Sequence, residues 1–336
     1  METWDILRNV WFLLIGVLLA GYSVLDGFDL GIGALFPFLA KSEDEKRTLI
    51  RAISPVWDGN EVWLLTGGGA LFAAFPPAYA TVFSGFYLAL MLVLFALILR
   101  AVSLEFRAHD PKRKGLWEAA FVGGSVLPAL LFGVALGNVV VGIPLDAHTE
   151  FTGNFFTLLC PLPLVFGVLG LCAFLLHGSA YAALKTEGAL QARARKLVKV
   201  LVAATSVAFF LSYIAVWIYM PGAVKKIPAW VFAVIVWISL GSLMRSGERT
   251  NDKRTFLLSS LTFLGLWGVA GSIHYPNLVR ATDPSLSLTI TNASSSALTL
   301  KIMLIIALVG MPLVVGYTIF AYRVFKGKVG PDDAGY

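Results

Sequence analysis

Ser54-Pro-Val-Trp-Asp-Gly-Asn-Glu-Val-Trp-Leu-Leu-Thr-Gly-Gly-Gly69 sets two carboxylates, Asp58 and Glu61, one helical turn apart at the start of an apolar run that reaches Phe75. Residues three apart share a helix face, and Trp57 and Trp63 flank this pair. A carboxylate within a membrane helix is expensive, so the pair is expected to face protein or trapped water and to mark a polar or proton-handling site. The alternative is an interfacial helix start, with the acids in headgroup water and the tryptophans anchoring the boundary. Other charges at the same depth favour the first reading.

Of the 336 residues 58% are hydrophobic and only 14% are charged, with a mean hydropathy of +0.80; a soluble domain carries about 25% charged residues. The composition is that of an all-α, polytopic membrane protein. A net charge of +6 and a pI near 9.3 would suit nucleic acid, but the basic residues fall in alternate connections, so no nucleic-acid partner is expected. The two cysteines, Cys160 and Cys172, lie twelve residues apart without CxxC spacing. Neither a disulfide framework nor a thiolate metal site is expected. The N-terminal Met-Glu-Thr-Trp-Asp-Ile-Leu-Arg lacks the basic region and small-residue cleavage site of a secretory signal, so the first apolar run should stay as a transmembrane helix.

A spanning helix needs about 20 apolar residues. Nine segments meet that test, near 9–39, 54–75, 79–105, 117–141, 157–184, 199–220, 228–245, 256–275 and 299–325, in a single integral membrane domain covering 1–336. Charge or proline marks the breaks at Lys41 to Arg51, Pro76-Pro77, Arg107 to Lys114, Pro144 to Glu150 and Lys185 to Lys199. Twenty of the 26 Lys and Arg residues fall after segments one, three, five and seven and in the C-terminal tail, and five on the opposite side. That bias places the N-terminus outside and the C-terminus in the cytoplasm. The longest connection, 276–298, is rich in Ser and Thr and should lie packed on the protein.

With this orientation, Asp26 and Asp29, three residues apart, lie in the cytoplasmic half of the first helix. Asp58 and Glu61 lie about 6–11 Å into the membrane from the same side, at about 1.5 Å per residue. Arg100 comes just before the cytoplasmic end of the third segment. Four acids and one arginine thus share the inner leaflet, where an isolated charge costs about 2.5–3.5 kcal/mol. Arg100 either snorkels to the headgroups or pairs across the bundle with Asp29 or Asp58. One guanidinium cannot neutralise four carboxylates, so at least one acid is a candidate for reversible protonation, as a proton path requires.

Gly27, Gly31, Gly33 and Gly67-Gly68-Gly69 suit close helix approach better than ligand binding. His109, His148, His177 and His274 have no local metal-binding spacing; each is expected to be structural or interfacial, although tertiary proximity could make any of them a haem ligand. Ser125 and Asn138 read as interhelical hydrogen-bond partners.

The stretch Pro55 to Pro76, the run Phe83-Ser-Gly-Phe-Tyr-Leu-Ala-Leu leading to Arg100-Ala-Val-Ser-Leu-Glu-Phe-Arg107, and Gly27-Phe-Asp-Leu-Gly-Ile-Gly33 resemble subunit II of the cytochrome bd-type quinol oxidases. So do His177-Gly-Ser-Ala-Tyr, Lys185-Thr-Glu-Gly188 and Leu288-Thr-Ile-Thr-Asn-Ala-Ser-Ser-Ser296, and the matches follow one another along essentially the whole chain. Ser54 stands where that family commonly has glycine, a small-for-small change.

The resemblance implies a fold of two four-helix bundles plus one peripheral helix, in the bacterial cytoplasmic (inner) membrane. It implies a subunit of a quinol:oxygen oxidoreductase without a redox centre of its own, paired as a heterodimer with subunit I, which carries haem b558, haem b595 and haem d. Asp58 then resembles a contribution to a proton path at the subunit boundary. Asp29 and Arg100 resemble positions that support haem-site assembly or charge compensation, and Trp63 a residue near an apolar oxygen route. Glu61 and Asp26 join the proton-path or charge-cluster set by depth alone. No directly bound cofactor or metal is expected; quinol is the substrate of the complex, and a structural quinone, membrane lipid or small accessory subunit is compatible with this reading. Two rival readings are a secondary transporter, which midplane charges on broken helices would favour, and a purely structural membrane partner.

Overall fold

The computed structural model describes residues 3–220, 222–245 and 251–330; Arg249, one of the basic residues counted after the seventh segment, lies outside them. Inside a membrane every backbone N–H and C=O must be bonded within its own segment, and so apolar sequence becomes helix. In order these helices are α1 (Thr3–Leu25), α2 (Gly27–Leu39), α3 (Glu43–Ile53), α4 (Trp57–Ala74), α5 (Pro76–Gly85), α6 (Tyr87–His109), α7 (Lys114–Val141), α8 (Pro161–Lys185), α9 (Gly188–Tyr219), α10 (Ile227–Met244), α11 (Asp252–His274) and α12 (Ala297–Val324). A small antiparallel pair, β1 (Asn277–Val279) with β2 (Leu288–Thr289), folds the long connection onto the protein, where Val279, Ile290 and Ala293 are buried.

Among the described residues, eight stretches are long and apolar enough to cross a membrane, the first being α1 and α2 together. The expected second span, 54–75, falls short of that apolarity, because the first turns of its 18-residue helix α4 carry Asp58, Asn60 and Glu61. Helix α4 nevertheless runs antiparallel along α1. Asn60 bonds the Leu25 carbonyl, Trp63 lies on Gly21, and the Ala73 and Ala74 carbonyls accept from Ser295, which in turn accepts from Trp4.

Other boundaries also differ from the hydropathy reading. The first rod is interrupted by a turn at Asp26, and the segment 79–105 divides at Phe86 into α5 and α6. Pro76 begins α5, where its missing N–H leaves no bond unmade. The charged stretch 185–199 is mostly the first turns of α9, and 41–51 is mostly α3. Helix α3 starts at a capping box between Ser42 and Glu45 and buries Leu49, Ala52 and Ile53.

Helix α2 is buried along almost its whole length, between α7 and α8. A Cβ on Gly31 would lie 2.8 Å from the Gly178 Cα, and a Cβ on Gly178 would collide with the Gly31 backbone, so α2 and α8 meet backbone to backbone. Helices α8, α9, α10 and α11 pack around one another as one group, and α1 and α2 with α4, α6 and α7 form the other. Helix α12 lies on α1 and α4 with Leu300 as its buried residue.

The connections rich in Lys and Arg converge at one end of the bundle. There Arg107 bridges Glu43 and Glu118, Lys46 reaches Glu118, Arg193 pairs with Glu45, and Arg195 pairs with Asp252. The opposite end is tied by backbone bonds, such as the Ile143 N–H to the Arg280 carbonyl at 2.9 Å, and by side chains that bond carbonyls, such as Lys226 to Ile273 and Thr81 to Thr149.

Gly178→Leu should force α2 and α8 apart at a cost of about 1–3 kcal/mol or more, lowering the thermal unfolding midpoint in detergent. Gly241→Ala, where nothing lies within 4 Å of the added carbon, should leave the midpoint unchanged or raise it. At the basic end, burial raises the Glu43 carboxyl, but hydrogen bonds from Lys114 (3.1 Å) and Arg107 (3.0 Å) outweigh that effect and hold it below the ordinary value of 4.5. The folded-state group is the stronger acid, so its contribution is full above pH 4.5 and lost as the pH falls through the lowered value. The thermal midpoint should therefore drop on acidification below that range, and Glu43→Gln should flatten the dependence.

Candidate functional site

The turn at Asp26 brings its carboxylate to α6, where Arg100 is fully buried. The guanidinium grips Asp26 with two hydrogen bonds, Nη2 to Oδ1 at 2.8 Å and Nη1 to Oδ2 at 3.2 Å, and Nη1 also donates to Glu61 Oε1 at 3.2 Å. Paired N–H donors in a planar fork match a carboxylate. Gly124 of α7 permits this seating, since a Cβ there would fall 2.8 Å from the Arg100 backbone nitrogen.

Asp29, also fully buried, faces a different partner. Its Oδ2 accepts from Asn60 Nδ2 at 2.7 Å, while its Oδ1 has no hydrogen-bond partner among the described residues. The second Asn60 N–H donates to the Leu25 carbonyl at 2.9 Å, and Asn60 Oδ1 accepts from the Tyr322 hydroxyl at 3.0 Å. One asparagine thus joins the α1–α2 junction, α4 and α12.

The structure corrects the expected pairing: Arg100 neither snorkels nor binds Asp29 or Asp58, but holds Asp26 and Glu61. Three residues of helix advance by about 300°, leaving side chains about 60° apart around the axis. Asp26 therefore reaches α6 while Asp29 reaches α4, and Glu61 turns inward while Asp58 stays out. Asp58 is exposed on the outer face of α4, which it shares with Val62, Leu65 and Phe72, and has no ion pair or hydrogen bond among the described residues. Trp63 is half-buried, its indole seated on Gly21 where a Cβ would be 2.5 Å from the ring.

Sequence reasoning did not single out Asn60 or Tyr322. Asn60 had a signal, being a third polar residue in the Asp58–Glu61 turn; Tyr322, 262 residues away, had none. Of the histidines, His177 is fully buried and commits Nδ1 to Ser259 and Nε2 to the Val24 carbonyl. His274 Nε2 bonds the Leu278 carbonyl, and His109 Nδ1 the Glu105 carbonyl. With both its ring nitrogens taken by protein, His177 does not fit an axial haem ligand. No group of three or more metal-ligating side chains converges among the described residues.

The family model for cytochrome bd terminal oxidase subunit II matches residues 7–325. The chain is 36% identical to the probable cytochrome oxidase subunit 2 of Haemophilus influenzae, over 98% of this chain and 97% of the relative. It is 35% identical to the cytochrome bd-I ubiquinol oxidase subunit 2 of Escherichia coli (99% and 98% covered) and 36% identical to the cytochrome bd ubiquinol oxidase subunit 2 of Bacillus subtilis (97% and 98%). Its fold is similar to that of a chain in the structure of bd oxidase from Geobacillus thermodenitrificans, with a TM-score of 0.78 at 17% identity, covering 95% of this chain and 98% of that one. Eight apolar stretches among the described residues, together with bacterial relatives, make it a multi-pass protein of the bacterial inner membrane. The buried Arg100, Asp26 and Asp29, with the half-buried Glu61, thus form a polar cluster in a chain that belongs to the cytochrome bd terminal oxidase subunit II family.

Proposed function

We propose that this subunit completes a quinol:oxygen oxidoreductase by docking, as one integral membrane unit, against a subunit I that holds haems b558, b595 and d, and by supplying cytoplasmic protons to it. The relatives named as ubiquinol oxidase subunits support quinol as the electron donor, and family membership sets the transporter reading aside. The Lys/Arg-rich end is taken as cytoplasmic on the positive-inside bias.

The observation that carries the proton role is the placement of Asp58. It is a carboxylate without a partner among the described residues, on an outward, otherwise apolar face of α4, one turn from the half-buried Glu61 and the buried Asp26, Asp29 and Arg100. A lipid-facing carboxylate is strongly disfavoured, so this face is the one a partner subunit would cover, with Asp58 at the boundary. Behind it, Arg100 satisfies Asp26 and Glu61, which leaves Asp29 as a carboxyl able to exchange a proton without unpairing the guanidinium. For oxygen, an apolar path is proposed to begin at Trp63. The cavity of about 100 Å³ lined by Phe132, Phe166, Phe209 and Trp267 would take part of a lipid or structural-quinone tail, and a small accessory subunit is a further candidate partner.

A specific observation also favours a structural role for part of the cluster. The Asp26–Arg100–Glu61 pairing ties three helix segments together, as haem-site assembly would require. The two roles separate by residue. Asp58→Asn, co-expressed with subunit I, should keep full haem d while quinol-driven oxygen consumption falls ~10-fold or more; unchanged turnover at full haem would remove Asp58 from the path. Arg100→Leu, which leaves buried carboxylates unpaired at about 3–5 kcal/mol, should sharply reduce the haem-containing complex recovered. Arg100→Lys should restore only part of it, because a lysine cannot make the two-pronged contact.

A further inference from the structure

An open cleft of about 1430 Å³ lies at the Lys/Arg-rich end, between α3, α6, α8, α11 and α12, and the cluster described above does not use it. Its rim carries Arg47, Lys253 and Lys326, and its lining includes the aromatic residues Tyr181, Phe256 and Tyr322. The Tyr181 ring stacks on Phe28 at 3.8 Å, and Tyr322 stands edge-on to the same ring at 6.5 Å. Phe28 immediately precedes Asp29 on α2. From the cleft wall to that carboxyl there is then one hydroxyl and one amide: Tyr322 donates to Asn60 at 3.0 Å, and Asn60 donates to Asp29 at 2.7 Å. The other oxygen of Asp29 is buried without a protein partner among the described residues, and a buried polar atom of this kind is one that a water molecule satisfies.

We infer that this cleft is a second, intrasubunit water and proton inlet leading to Asp29, with Tyr322 and Asn60 as the positioning pair at its inner end. The inference rests on the reading of the cluster as proton-carrying, and it differs from a route through Asp58, which opens on the outer face of α4. A hydronium breaks one of its O–H bonds as an O–H bond forms at Asp29 Oδ1, leaving water, and the proton departs when that bond breaks and a new O–H bond forms on the next acceptor water; nothing is oxidised or reduced. Tyr322 and Asn60 do not ionise. Tyr322 orients Asn60, and Asn60 holds Oδ2, so that Oδ1 is the accepting atom.

The experiment uses the assembled complex with subunit I. In a Cys160→Ser, Cys172→Ser background, Leu257→Cys places a thiol on the exposed cleft wall. It is treated with a bulky maleimide after assembly, and turnover is compared with the same sample unlabelled. Labelling should slow turnover ~3-fold or more with unchanged haem spectrum and unchanged KM for quinol. Tyr322→Phe, which keeps the ring and removes the hydroxyl, should lower kcat and raise its solvent isotope effect. Full labelling without slowing, or a thiol in the complex that the maleimide cannot reach, overturns the inlet. If either result comes with slowed turnover in Asp29→Asn and Asp58→Asn at full haem, proton delivery stands and its inlet is at Asp58 alone. If neither of those variants slows turnover at full haem, the proton reading itself fails.

Discussion

The contact on which the rest depends is the grip of a fully buried guanidinium on two carboxylates from different helix segments. Burying Arg100 alone would cost several kcal/mol, and Asp26 and Glu61 offset that cost only when the α1–α2 junction, α4 and α6 stand in one arrangement. The turn at Asp26 follows from this requirement, because a side chain in that turn reaches α6 while the hydrogen-bonded backbone continues on either side. Gly124 brings α6 close enough to α7 for the arginine to be enclosed. The ion pair therefore specifies geometry as much as it contributes stability.

Around that contact the two ends of the molecule are held by different physics. At the basic end, long charged side chains from α3, α6, α7, α9 and α11 interlock through Glu43, Glu118, Glu45 and Asp252. Headgroup water and salt weaken each pair, but a network shares the ordering cost among its members. At the other end, the long connections after α7 and α11, with the β1–β2 pair, satisfy many of their backbone groups mutually, with apolar residues such as Val279 and Ile143 beneath them. Between the ends, the α2–α8 contact at Gly31 and Gly178 depends on the absence of side chains, since lipid supplies no hydrophobic drive for helices to associate.

Polar groups in the membrane region fall into two kinds. Most are consumed locally, such as Ser212 and also Ser125, expected from the sequence to bond across helices; both hydroxyls return to the carbonyl one turn back. The Asp29–Asn60–Tyr322 chain instead connects helices distant in sequence and ends on Asp29 Oδ2, while the other oxygen of that carboxyl has no hydrogen-bond partner among the described residues. Asp58 is the counterpart on the outer face, a charge left on an apolar surface that subunit I is proposed to cover.

Helical class, membrane location and the alternation of basic connections were legible in the sequence, because they follow from apolar run length and from the positions of Lys and Arg. The charged stretch 41–51 reads only as a break, because hydropathy hides a short amphipathic helix such as α3 even where Ser42 and Glu45 cap it. Depth put Asp26, Asp29, Asp58, Glu61 and Arg100 at one level, and of these the structure joins Arg100 to Asp26 and Glu61 and sets Asp29 on Asn60. Depth carries no azimuth, however, and the assignment of Arg100 to Asp26 and Glu61 rather than to Asp29 and Asp58 depended on about 60° of rotation around two helices. Tyr322 could be placed on Asn60 only by the docking of α12 against α4, since contacts between residues 262 apart leave no local trace. The sequence by itself determined which groups lie in the membrane and at what level, because burial depth is a property of each segment. Which of them meet was decided by the tertiary structure alone, because helix rotation and kinking are set by the neighbours against which a helix packs.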